Sequence, residues 1–345
     1  MRYLLCPILL AGAVAAQEPS LAARYPEDLG IAKDPAVIFT EDFETPDLQS
    51  RWQVVAKVGD DGPLAFDTQL KTVGRPGTAM RITASKGKNE GGSLYKVLKP
   101  GYDELFARVY VRFEEKAGAF AHFVKLGGDK DVKNWWVGRA GTKPDTWFMT
   151  GLEPVGYLTH TWPGKSYALP GFWAFYTYWP EMHSWQTENG ESNGKPNPYY
   201  GNRFASAEPP VIVRGAWTCI EWSVKLNSAP DKSDGSQRFW VDGKLAGEWG
   251  PGTPEGYWMR ENFRIRPDQP EKQKAFPGFR WRTDMGVKLN ILKLENYVNE
   301  GTWKSTAGYA KEHPEYPLDL EQNTVWFDHL VVATSYIGPM APAKK

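Results

Sequence analysis

Residues 217–249 constrain the chain most. From Trp217 onward, Thr218, Ile220, Trp222, Val224 and Leu226 alternate with Cys219, Glu221, Ser223 and Lys225, the period-two pattern of a half-buried strand. Residues 227–235 are rich in Ser, Asp and Pro and close on an Asp-Gly pair, so the chain turns and returns over residues 237–241. Asp242-Gly243 is a second hairpin signal, since the favoured two-residue turn needs positive φ at its central positions. Three consecutive strands with tight turns set an antiparallel sheet at the centre of the fold.

The same period extends along the chain. Strands are expected at residues 37–43, 52–58, 79–84, 92–97, 105–113, 119–126, 134–139, 172–179, 287–298 and 324–333. Residues 142–169 and 181–207 read as long loops, 257–279 as a loop with one short strand, and 301–323 as a Pro-bearing excursion. Little of this pattern is helical, so the expectation is an all-β, two-sheet antiparallel sandwich over residues 37–339 as one domain. Residues 17–36 are expected to be a loose N-terminus and 340–345 a tail.

Charge and cysteine content narrow the partners. Lys plus Arg and Asp plus Glu number 41 each, so no net field favours nucleic acid or an acidic membrane surface. A positive start, an apolar run over residues 3–15 and small residues before Gln17 read as a secretory signal peptide over residues 1–16. That predicts an exported, soluble, monomeric protein without membrane insertion. Cys6 falls inside this leader, which leaves Cys219 without a disulfide partner. The sixteen Trp serve either a sandwich core or the stacking of sugar rings, and both readings stay open.

The Trp217-x-x-x-Glu221, Leu226-Asn227, Asp234-Gly235 and Trp240-x-Asp242-Gly243 signals resemble those of the concanavalin A-like β-jelly roll. Further scattered motifs over residues 105–339 resemble polysaccharide lyase family 14 and its secreted relatives. They are Arg108 to Arg112, Phe123-x-Lys125-x-Gly127-Gly128, Arg139, Tyr176-x-Tyr178-x-Pro180, the 294–297 LENY strand and the terminal Phe327 to Pro339. The resemblance implies a cleft on a concave sheet lined by a lysine, an arginine on the next strand and a Tyr-x-Tyr pair. These fall on Lys125, Arg139, Tyr176 and Tyr178, the expected catalytic set. After its lysine the chain has Leu126-Gly127-Gly128, where the family usually has x-Pro-Gly.

The chemistry is consistent with those residue types. β-Elimination from a uronic acid polymer needs a cation on the carboxylate, a base for the C5 proton and an acid for the leaving oxygen. Lys125, Arg139 or Arg108 supplies the cation, and a tyrosine with a pKa lowered by those cations serves as base or acid. Arg108, Tyr110 and Arg112 share one face of their strand and are expected to reach the substrate, with His122, Glu221 and Asn296 as further binding candidates. Alternation sets His122 opposite Lys125, which favours a hydrogen-bonded core histidine.

No cofactor is demanded by this set. Glu41, Asp42 and Asp328 are candidates for a structural Ca2+ where first and last strands meet, since such ions take about 6–8 oxygen ligands. There is no HExxH, no CxxC and no GxSxG, so zinc chemistry and Ser or Cys hydrolysis lack support. The expected function is a lyase acting on an anionic polysaccharide. The alternatives are a non-catalytic carbohydrate-binding jelly roll and, third, a glycoside hydrolase, for which no one-strand carboxylate pair lies mid-sheet.

Overall fold

The computed structural model describes residues 20–59, 62–70, 73–74, 76–132, 139–156, 167–185 and 200–343. The expected signal peptide and most of the 134–139 strand lie outside them. Strands β1 to β6 run at Val37–Glu41, Val54–Val55, Leu64–Asp67, Ala79–Ser85, Gly91–Tyr102 and Glu104–Phe113. Strands β7 to β12 follow at Val124–Asp129, Trp147–Val155, Phe172–Tyr178, Asn202–Phe204, Trp217–Lys225 and Ser236–Val241. Strands β13 to β18 occupy Lys244–Trp249, Glu255–Met259, Asn262–Arg264, Lys274–Ala275, Leu289–Tyr297 and Gln322–Ala333, with one helix, α1, at Glu300–Glu312.

These strands form two sheets. The first runs β13-β12-β11-β6-β18-β4-β3, with β1 also on β18, and the second runs β16-β14-β15-β10-β9-β8-β7-β17-β5-β2. Pairing is antiparallel except between β10 and β15. The all-β jelly-roll sandwich expected from the alternation is therefore the fold. Strand β11 lies between β6 and β12, with Trp222 opposite Ala107 on one side and Phe239 on the other. Asp242 (φ 48°) and Gly243 (φ 76°) turn the next hairpin, and the Asp242 carboxylate accepts from the Cys219 amide at 2.9 Å.

The core fills the space between the sheets. Trp173, Trp222, Trp249 and Trp281 are fully buried there with Phe113, Phe123, Phe148 and Phe175. Each such ring removes on the order of 150–250 Å² from water, so these tryptophans carry the fold and not sugar binding. A second apolar cluster lies on the other side of the first sheet. Leu21, Ala22 and Ile31 pack there on Phe106, Trp240, Val331, Tyr336 and Ile337.

Several expectations need correction. Residues 20–36 form three short 3-10 turns tied to the C-terminal segment, with the Leu21 and Ala22 amides bonded to the Tyr336 and Ile337 carbonyls. The tail is held too: the Met340 amide donates to Tyr110 and the Ala341 carbonyl accepts from Glu27. Residues 142–169 contain β8, which Gly151 and Pro154 disguise because neither favours a strand. Three strands, β14 to β16, stand within 255–275, where one was expected. Residues 300–312 are helical because Asn299 caps them, accepting from the Thr302 amide at 2.9 Å. Among the described residues, no helix is long and apolar enough to cross a membrane.

Candidate functional site

The outer face of the second sheet carries a polar row that its register fixes. Tyr95 on β5, Lys293 on β17, Lys125 on β7, Gly151 on β8, Tyr176 on β9 and Arg203 on β10 stand side by side across six strands. Their strand neighbours, among them Val124, Leu126, Leu152, Phe175, Leu292 and Leu294, point into the core. Period-two alternation therefore delivers the polar side chains to one surface. Gly151 is the low point of the row. A Cβ there would meet Lys125 Cγ and the Val124 carbonyl, each at 3.0 Å.

A pocket of about 370 Å³ opens over this row, lined by His122, Lys125, Arg139, Trp147, Tyr178 and Glu295, among others. Lys125 Nζ donates to Glu295 Oε2 at 2.7 Å, and Lys293 Nζ donates to Glu295 Oε1 at 2.5 Å. One carboxylate thus bridges two lysines that face each other across neighbouring strands. Burial pushes Glu295 up, but Lys125, Lys293 and His122 outweigh it and hold the carboxyl at about 2. Burial lowers Lys293, with Lys125 acting in the same direction and Glu295 opposing. Arg139 pairs with Asp129 at 2.5 Å and lies over the Trp147 ring, 5.2 Å from its centroid.

The tyrosines meet as the period of β9 predicts. The Tyr176 and Tyr178 hydroxyls are 3.3 Å apart, and Tyr176 also accepts from the Gly201 amide at 2.9 Å. Burial raises the Tyr178 pKa, with Glu153 adding to it, against the Tyr176 hydrogen bond. The expected lowering by nearby cations is absent, because Lys125 and Arg139 each face a carboxylate. Tyr178 is held as a phenol.

His122 belongs to this site and not to the core. Lys125 stands opposite Lys293, whereas His122 bridges to Tyr297. Three residue steps on one strand thus oppose four on the other, a one-residue irregularity that reverses the alternation past Phe123. The His122 ring stacks on Tyr297 at 5.7 Å and 11°, and its Nδ1 lies 2.8 Å from Glu153 Oε1.

Five expected binding residues lie elsewhere. Strands β6 and β7 follow one another in the chain but belong to different sheets, so the cations of β6 face away from Lys125. Arg108 is fully buried on the first sheet's outer side, paired with Asp28. Tyr110 is buried beside it, and Arg112 sits opposite Trp217 and Trp326. Glu221 accepts from the Ile337 and Gly338 amides at 2.8 and 2.7 Å, which fixes the C-terminal segment. Asn296 points through the sandwich and donates to the Ile82 and Asn323 carbonyls, both at 2.9 Å.

Glu41, Asp42 and Asp328, the residues expected to hold a calcium ion, each accept from protein donors. Glu41 accepts from Arg51 Nε at 2.8 Å, from Trp52 Nε1 at 2.8 Å and from the Phe43 amide at 3.0 Å, so its oxygens are committed to protein donors. Asp42 accepts from the Glu44 amide and Asp328 from the His329 amide. Among the described residues, no group of three His, Cys, Asp or Glu side chains is placed to hold a metal ion.

Lys293, Glu295, Tyr297, Ala140, Trp147 and Met149 line the pocket without having been expected there, and Glu153 joins the site through His122. A readable signal existed for three of them, since Lys293, Glu295 and Tyr297 alternate with Leu292, Leu294 and Asn296. The same alternation places Asn296 on the core face.

Fold and site together define a β-jelly-roll sandwich with a cationic, aromatic pocket on its open sheet. No protein-family model and no curated protein sequence matches the chain. Among solved structures it is similar to alginate lyase vAL-1 from Chlorella virus, at 11% identity and a TM-score of 0.52, covering 87% of this chain and 100% of that one. It is also similar to an endo-β-1,4-glucuronan lyase from the fungus Trichoderma reesei, at 13% identity and a TM-score of 0.46, covering 87% and 96%. A further likeness is to the cellulose-induced protein Cip1, at 14% identity and a TM-score of 0.42, covering 87% and 99%. The first of these shows that the chain shares the fold of that alginate lyase.

Proposed function

We propose that the protein is an exported lyase that cleaves a uronate-containing polysaccharide by β-elimination. The observation that carries this reading is the Lys125–Glu295–Lys293 bridge beside Tyr178 in one pocket. Lys125 and Lys293 each give a donor to Glu295 and, as ammonium groups with three N–H donors apiece, keep others for the uronate carboxylate. Neutralising that carboxylate makes the adjacent C5 proton acidic and stabilises the charge that builds as it leaves. Tyr178, kept protonated by burial, donates to the departing O4, and Tyr176 orients it through the shared hydroxyl contact. Trp147, under Arg139 and against the Tyr178 ring, holds both side chains at the pocket wall.

The test is to incubate the purified protein with alginate, glucuronan and other polyuronates and follow absorbance at about 235 nm, where the new C4–C5 double bond conjugated to the carboxylate absorbs. Tyr178→Phe and Lys125→Ala are each expected to lower the rate by roughly 10²-fold or more while leaving the far-UV spectrum unchanged. Glycan binding without any absorbance rise refutes the lyase reading and supports the binding-protein alternative.

A further inference from the structure

The elimination proposed above still lacks a base, because Tyr178 is held as its acid form. Of the side chains around the pocket, His122 is built as one. Its Nδ1 lies 2.8 Å from Glu153, a buried carboxylate that can only accept when ionised, so Nδ1 carries the proton and donates it. The lone pair of the neutral ring is then on Nε2. Stacking on Tyr297 on one side and the Tyr176 ring at 5.5 Å on another hold the imidazole in place. About a third of its side-chain surface remains open, on the pocket. A carboxylate on Nδ1 with part of the ring open at the pocket is the arrangement by which an imidazole abstracts protons.

We infer that His122 Nε2 removes the C5 proton of the bound uronate, with Glu153 as the positioning residue that fixes its tautomer. The inference rests on the lyase reading. The proton passes from C5 to Nε2, and the C5–H electron pair forms the C4=C5 double bond. The C4–O4 bond breaks, and O4 leaves as an alcohol with the Tyr178 proton. The imidazolium then returns its proton to water, and the tyrosinate recovers one from water. No oxidant or metal enters the balance. The charges facing His122 are Glu153 from β8, Lys125 from β7, and Lys293 and Glu295 from β17. The ion pairs leave Lys125 and Lys293 for the carboxylate while the ring works on the neighbouring carbon.

The test compares the full-length parent, His122→Gln, His122→Ala and Glu153→Gln on the polyuronate the parent cleaves best. His122→Gln is expected to lose roughly 10²- to 10⁴-fold in kcat, the usual share of a general base. His122→Ala should still bind the polyuronate and regain turnover with added imidazole, which a merely structural histidine would not allow. Glu153→Gln should lower kcat while leaving KM in place. An active parent with near-parental kcat in His122→Gln overturns the assignment alone. So does a folded, glycan-binding His122→Ala that imidazole fails to rescue. A parent that gives no absorbance with any polyuronate overturns the lyase reading and this assignment with it.

Discussion

Glu295→Gln tests the electrostatics of the pocket independently of any substrate. Lys125 and Lys293 face each other on adjacent strands, and Glu295 is the group that makes this arrangement tolerable. Burial disfavours the carboxylate, yet the two lysines and His122 carry its pKa from the ordinary 4.5 to about 2. At about 1.4 kcal/mol per unit, that difference links roughly 3 kcal/mol of stability to ionisation of this one group. Because the folded value is depressed, the contribution is present in full above the unfolded value near 4.5. It is lost as pH falls toward 2, and about 2 kcal/mol of it is gone by pH 3. The glutamine keeps the shape and removes the charge, leaving two buried ammonium groups without their carboxylate. The variant should be less stable at pH 7 by roughly 3 kcal/mol, within the range for breaking a buried pair. Urea unfolding is the suitable assay, since an ionic denaturant would screen the effect. The gap between parent and variant should narrow to about 1 kcal/mol at pH 3 by the same linkage. A gap that stays constant from pH 7 to pH 3, or no gap at pH 7, refutes the reasoning.

Two further predictions concern the frame around the site. Asp28→Ala strands Arg108, which is fully buried, and should destabilise the protein by about 3–5 kcal/mol in urea unfolding, with part of the loss recovered when Arg108 is also replaced by Met. Gly151→Val forces a branched side chain against Lys125 Cγ and the Val124 carbonyl, and should lower kcat/KM by on the order of 10²-fold and also destabilise the protein by about 1–3 kcal/mol in urea unfolding.

How much of this was legible in the chain depends on what alternation encodes. It records which side of its own strand a residue takes. Ile220, Trp222 and Val224 are in the core as that rule requires, and Tyr176 and Tyr178 share a face with hydroxyls in contact. It does not record which sheet a strand joins. Arg108, Tyr110 and Arg112 do leave the core together, but β6 is in the first sheet, where the N-terminal turns meet Arg108 and the C-terminal segment meets Tyr110. Nor does it survive a register shift, which is why His122 reaches the same surface as Lys125 three positions away. Helix α1 escaped notice because it buries only Thr302, Trp303 and Thr306, too few for a helical apolar stripe.

The division between the sheets also explains why a single face carries the chemistry. On the first sheet, Asp28 from the N-terminal turns closes over Arg108, and Ile337 and Gly338 from the C-terminal segment saturate Glu221. The charges there are spent on holding the chain's two ends, and their partners come from the protein itself. On the second sheet the charges gather at one pocket: Lys125 and Lys293 share Glu295, Arg139 pairs with Asp129, and His122 with Glu153. Glycine at 151 makes room for its neighbours, since a Cβ there would meet Lys125 Cγ at 3.0 Å and Glu153 Oε1 at 3.3 Å. Paired lysines, a buried phenol and a carboxylate-backed imidazole around one pocket are the groups the proposed elimination uses, the lysines to meet a uronate carboxylate and the other two to move its C5 proton and protonate O4.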